Sequence, residues 1–87
     1  MRIRFTKHAQ NKFGVLRADG ILVSKARVLH ILQKPDLVDY RRLPLLIAQG
    51  DFDKHRVLRV VYRNEGDAIV VITFYPGRKS QYEKNQP

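Results

Sequence analysis

Arg59, His55, Tyr75, Arg78 and Tyr82 fall within residues 55–82, and His8 stands near the start of the chain. Residues of these types suit one reaction class, cleavage of RNA without a metal ion. In that reaction the 2′-hydroxyl attacks its own phosphate. It needs a group to take the 2′ proton, cations for the phosphorane charge and a donor for the leaving 5′-oxygen. Arg59 is the first candidate for the phosphate, because a guanidinium matches two phosphate oxygens in a bidentate fork. Arg78, just past the last strand on a Pro-Gly turn, is the second. Tyr75 or Tyr82 is placed to stack a base or to serve as acid or base. His8 and His55 bring the side chain whose ordinary pKa best suits proton transfer near neutrality. Arg63, Thr73 and Lys79 complete the set as RNA-binding candidates.

The same residues also have structural readings. His8 fits a capping or packing histidine, His55 an exposed residue opening a strand, and His30, among apolar helix residues, a structural one. The pairs Arg41-Arg42 and Arg78-Lys79 fit solvated surface. The histidines are scattered and lack carboxylates at metal-ligand spacing, so neither a metal site nor a cofactor is expected. The chain has no phosphate-binding glycine loop and no Gly-x-Ser-x-Gly elbow.

Charge points toward a polyanionic partner. Seventeen Lys and Arg stand against eight Asp and Glu, for a formal charge of +9, and ten of the cations are arginine. A domain this basic carries the electrostatic footprint of nucleic-acid binding, with an acidic protein as the other partner of suitable charge. Eighty-seven residues at 44% apolar content fit a single domain with one core. Residues 1–83 are expected to form it, with 84–87 as a frayed tail. Without cysteine, a disulfide scaffold and a cysteine-based zinc site are both excluded. The opening MRIRFTKH has no apolar h-region, and no stretch approaches the ~18 apolar residues of a membrane span. No membrane partner is expected, and a cytoplasmic location is.

The elements that must position these residues follow from local signals. RIRF at 2–5 alternates as a half-buried strand does. Thr6 reads as an N-cap, and Ala9, Phe13 and Leu16 form one helical stripe that ends at Asp19-Gly20. Ser24 caps a second helix whose apolar side is Val28, Leu29, Ile31 and Leu32, and Pro35 stops it. Weak and better strand candidates follow at 36–40 and 45–48, and the strongest strands at 55–63 and 68–75.

Residues 64–66 fit a three-residue hairpin loop with Gly66 at the left-handed bulge position. That loop pairs Arg63 with Asp67, Arg59 with Val71, Val57 with Thr73 and His55 with Tyr75. One face then holds Leu58, Val60, Tyr62, Ala68, Val70, Ile72 and Phe74, and is expected to pack on the helices. The other is mixed, with His55, Arg59, Arg63, Thr73 and Tyr75 set among Val57, Val61, Ile69 and Val71, and is expected to form a concave basic face. An antiparallel sheet with one solvated face accounts for these arginines equally well.

Thr-Lys-His-Ala at 6–9, the helix ending in Lys-Pro-Asp and the closing VITFYPGRKSQYE resemble a small prokaryotic family of unknown function. The layout is similar to that of the RelE/ParE-like toxins and the BrnT toxins. The resemblance implies an α+β fold of order β-α-α-β-β-β, with two N-terminal helices on one face of an antiparallel sheet. It further implies an mRNA-cleaving toxin of a toxin–antitoxin pair, acting on RNA, on the ribosome or free, and bound by an acidic antitoxin. Arg59, Arg78 and Tyr82 are the positions that match the RelE-type pattern, while no lysine aligns in the helix-to-sheet segment. ParE-like members share the fold without ribonuclease chemistry, so a protein target and a non-catalytic binding module stay open.

Overall fold

The computed structural model describes residues 2–83, and the expected tail at 84–87 lies outside them. Both helices start at the hydroxyls that the sequence offers. Thr6 Oγ1 accepts from the Ala9 N–H at 3.1 Å and opens α1 (Lys7–Ala18). Ser24 Oγ accepts from the Arg27 N–H at 3.1 Å and opens α2 (Lys25–Gln33). At the end of α1, Ile21 N–H reaches Leu16 O and Gly20 N–H reaches Arg17 O, the two bonds of a Schellman stop.

Five strands make one sheet: β1 (Arg2–Phe5), β2 (Leu37–Asp39), β3 (Leu46–Asp51), β4 (Arg56–Glu65) and β5 (Ala68–Arg78), in the order β1-β5-β4-β3-β2. A single helical turn, α3 (Lys79–Tyr82), follows β5. The class is α+β. Two details differ from the expected layout. The sheet is mixed, because β1 runs parallel to β5 while the other pairs are antiparallel. The element order also gains β2 and α3. RIRF has the alternation of a strand, but alternation carries no direction, so pairing sense was not readable from it.

Both helices bury their apolar stripes on one face of the sheet. Ala9 and Leu16 of α1 and Val28 and Ile31 of α2 meet Ala48, Leu58, Val60, Val71 and Phe74. Phe13 tilts against Phe74 with ring centroids 4.6 Å apart. No helix among the described residues is long and apolar enough to cross a membrane.

The β4–β5 hairpin corrects the expected register. Glu65 pairs with Ala68, so the connection is the two-residue turn Gly66-Asp67 and not a loop at 64–66. Gly66 has φ +63°, and no non-glycine residue described has positive φ, so the left-handed residue comes first, as in a II′ turn. Arg59 therefore faces Tyr75 and not Val71, Val57 faces Gly77 and not Thr73, Thr73 faces Val61, and Arg63 faces Val70. His55 lies just outside β4 and does not pair with Tyr75. Thr73 opposite Val61 and Val71 opposite Tyr62 leave Ile72 as the extra residue of a bulge. The bulge skips one step of the alternation, which puts Val71 beside Phe74 in the helix-facing core where Val70 and Ile72 were expected.

Candidate functional site

The sheet face away from α1 and α2 is not an open basic surface at its β2–β3–β4 side. Arg59 is only 3% exposed and Gln49 only 2%. Gln49 faces Arg59 across β3 and β4, and Tyr75 faces it across β4 and β5. Each guanidinium nitrogen has a partner. Nε donates to the Tyr75 hydroxyl at 3.1 Å, Nη1 to Gln49 Oε1, and Nη2 to Asp39 Oδ2 at 3.1 Å. The Tyr82 ring closes the site, its centroid 4.3 Å from Arg59 Cζ. Tyr82 can lie there because Gly77 has no side chain, and a Cβ at that position would overlap the ring.

Asp39 anchors this layer. Its carboxylate accepts from Arg41 Nε, Nη2 and backbone N–H as well as from Arg59. The Arg41 side chain chiefly, then its backbone N–H, with help from Arg59, holds the Asp39 carboxyl well below the usual carboxylate range against the opposing effect of burial. A buried arginine with every nitrogen engaged and its charge balanced is a structural element. Three of its five N–H groups are engaged and the side chain is buried, so the expected first-choice phosphate group is enclosed in this structure.

A second cluster forms where the β3–β4 connection meets the end of β5. Asp53 Oδ1 accepts from the backbone N–H groups of His55 and Arg56 at 3.0 and 2.8 Å, which shapes the turn. Its other oxygen takes the Arg56 guanidinium, Nη2 lying 2.6 Å away. The Arg56 side chain chiefly lowers the Asp53 pKa. The Phe52 ring packs under two guanidinium groups, Arg56 at 5.2 Å and Arg27 at 5.7 Å. Lys79 N–H donates to His55 O at 2.9 Å and ties α3 to the turn. Between them opens a cleft of about 790 Å³ lined by Lys54, His55, Arg56, Arg78, Lys79 and Ser80, with Asp53 as its one carboxylate.

The cations of this cleft are unequally engaged. Arg56 is bound to Asp53, and Lys79 Nζ lies 3.5 Å from Asp51. Lys54, His55 and Arg78 make no side-chain hydrogen bond or ion pair among the described residues. The cleft thus presents two unpaired cations and an imidazole to whatever enters it. Among the described residues no group of three His, Cys, Asp or Glu is placed to hold a metal ion.

The structure therefore divides the candidate residues into separate sets. His55, Arg78 and Lys79 come together in the cleft. Arg59, Tyr75 and Tyr82 come together in the enclosed layer. Arg63 stands apart, bound to Glu65, which also takes Arg4, in a surface ladder near the hairpin turn. Thr73 is half-buried in mid-strand opposite Val61. His8 is exposed on α1 and His30 on α2, and neither lines the cleft.

Lys54, Arg56, Asp39 and Gln49 were missed. Two signals stood in the sequence. Lys54-His55-Arg56 leads into one long strand and Arg78-Lys79 closes its partner, and antiparallel pairing brings those ends together. Gln49 interrupts the apolar run LLIAQG, and a polar residue inside a buried strand needs a partner. Comparison with protein-family models, with curated proteins and with solved structures found no match.

Proposed function

We propose that the protein binds RNA through the cleft between the β3–β4 turn and α3, as a domain of RelE-like layout. The observation that carries this reading is the convergence of Lys54, His55 and Arg78, whose side chains have no partner among the described residues, in a chain of net charge +9. Unpaired cations in a concave site attract a phosphate backbone, and release of its counterions drives the binding. The guanidinium of Arg78 suits two phosphate oxygens at once. Titration of the ¹⁵N-labelled protein with a short oligouridylate tests the placement. Amide shifts confined to the segments around 53–56 and 78–80 are expected. Shifts centred on the helices, or none, contradict it.

A second reading, metal-independent cleavage of that RNA by a toxin of a toxin–antitoxin pair, is favoured by the imidazole that lines the cleft together with the two cations. The 2′-oxygen forms a bond to phosphorus and gives its proton to His55, while the bond to the 5′-oxygen breaks and that oxygen takes a proton from water. Arg78 and Lys54 offset the charge gathered on the phosphorane. An acidic antitoxin would compete for the same cations. Fragments ending in 2′,3′-cyclic phosphate, formed in EDTA from free RNA or on translating ribosomes in magnesium, test this reading. Intact RNA in both arms leaves a binding domain, the role that the enclosed Arg59 favours.

A further inference from the structure

β1 stands at one edge of the sheet, paired only with β5 among the described residues. In a parallel ladder, alternate residues of a strand turn their peptide groups to opposite sides. Thr6 N–H donates to Val71 O at 3.0 Å, which places the peptide groups of Arg2, Arg4 and Thr6 on the side of β5. Ile3 and Phe5 therefore turn their N–H and C=O groups outward. Of these groups only Phe5 O has a partner among the described residues, the Gln10 side-chain amide at 3.4 Å.

The two faces of β1 differ in chemistry. Ile3 and Phe5 lie half-buried on the helix side, where they line a groove of about 330 Å³ with Gln10, Phe13 and Lys25. Lys25 Nζ lies 5.2 Å from the centre of the Phe5 ring and forms no ion pair among the described residues. Arg2 and Arg4 lie on the other face. With Arg63 they share Glu65 and Asp67, three cations against two carboxylates, and their side chains are 76% and 59% exposed. None of the groove residues lines the basic cleft.

We propose that β1 is a docking edge for an extended segment of an acidic protein, which adds one further strand to the sheet. An open edge supplies backbone hydrogen bonds, and the side chains along it select the sequence. Residues opposite each other in a ladder share a face. The added strand thus sets apolar side chains beside Ile3 and Phe5 and carboxylates beside Arg2 and Arg4, so the two kinds alternate along it. A second copy of this chain does not fit. Pairing β1 with β1 brings the arginines of both copies together on one face, and like charges so placed are destabilising. The same arginines that guard the edge against self-pairing admit an acidic strand. This inference does not rest on the RNA-binding reading.

A blocked hexapeptide alternating glutamate and valine tests the proposal on the ¹⁵N-labelled full chain. Amide exchange at Ile3 and Phe5 should slow when it binds. Of two peptides N-methylated at the valines alone or at the glutamates alone, one should lose binding, because a strand offers only one of its edges to β1. A peptide with lysine for glutamate should not bind. Arg2→Glu/Lys25→Glu should weaken binding about tenfold or more, the scale of two reversed surface charges. Both side chains are exposed, so circular dichroism of this variant should match wild type. Lys54→Ala/Arg78→Ala should bind the peptide as wild type does. Absence of binding, undiminished binding of both N-methylated peptides, or loss only in the cleft variant overturns the docking edge. Slow exchange at Ile3 and Phe5 in a dimer without peptide overturns it too, by giving the edge to a second copy.

Discussion

The Cζ atom of Arg59 lies 4.3 Å from the centre of the Tyr82 ring, on the sheet face turned away from α1 and α2. This stack joins the C-terminal turn to the middle of the sheet. Beneath it Asp39, Gln49 and Tyr75 take the guanidinium's hydrogen bonds. The face that alternation alone would leave wet is a second, polar interior at this end of the molecule.

Arg59→Ala should therefore act first on stability. Removing one member of a buried ion pair leaves the other unpaired and typically costs about 3–5 kcal/mol. Urea unfolding should show a loss toward the lower end of that range, with Gln49 left without its partner and Asp39 still held by Arg41. A change below about 1 kcal/mol, the range of exposed ion pairs, would contradict the enclosed arrangement. Loss of RNA binding or cleavage in this variant has meaning only beside its unfolding curve.

Gly77→Ala should loosen the C-terminal turn. The added methyl overlaps the Tyr82 ring, so Tyr82 must leave Arg59 or β5 must shift. Overpacking of this kind typically costs about 1–3 kcal/mol. Tyrosine fluorescence and proteolysis at the C-terminal turn should report the release, and an unchanged melting temperature with protected termini would speak against it.

Acid should destabilise the fold in a defined window. The native pKa of Asp39 lies below its ordinary value, so the unfolded chain binds the proton more readily than the folded one. The contribution is full above about pH 5 and is lost as pH falls below about 4 toward the native value. Asp53, lowered chiefly by the Arg56 side chain, acts with the same sign. Stability measured against pH should fall below about pH 4 in wild type, and less steeply in Asp39→Asn. Equal slopes would show that Asp39 is not held ionised by its arginines.

His55→Gln separates the two readings of the cleft. The imidazole is not part of the enclosed layer, and its removal should leave folding unchanged. RNA affinity should stay close to wild type, while any cleavage should fall about a hundredfold or more, as for loss of a general base. Cleavage that survives the substitution would remove His55 from the proposed chemistry.

Much of the fold was legible because its signals are local. The hydroxyls of Thr6 and Ser24, the stripes Ala9–Phe13–Leu16 and Val28–Ile31, and the stop at Pro35 all lie within a turn or two of what they specify. Direction and register were not local. RIRF pairs equally well in either sense, and Gly66 fits the last position of a three-residue loop as readily as the first position of a II′ turn. The bulge at Ile72 then compensated the shift in part, so Leu58, Val60 and Phe74 stayed in the core that alternation assigns them. That agreement hid the error that mattered for function, since it placed Arg59 opposite Val71 instead of Tyr75. The segment KSQY is too short to show a helical period, so nothing announced that Tyr82 would fold back over Arg59. With the observed pairing, Lys54-His55-Arg56 and Arg78-Lys79 become neighbours, and the basic residues worth testing move from the middle of the sheet to its end.

The salt dependence of RNA affinity tests the central claim most directly. Binding of a single-stranded oligouridylate should weaken steeply between about 50 and 200 mM salt, with log K linear in log salt. Lys54→Ala and Arg78→Ala should each weaken binding and reduce the slope by about one, the signature of a lost phosphate contact. Arg63→Ala, whose side chain is bound to Glu65 outside the cleft, should leave the slope unchanged. An unaltered slope in both cleft variants, or a drop only in Arg63→Ala, would contradict the assignment of the RNA site to this cleft.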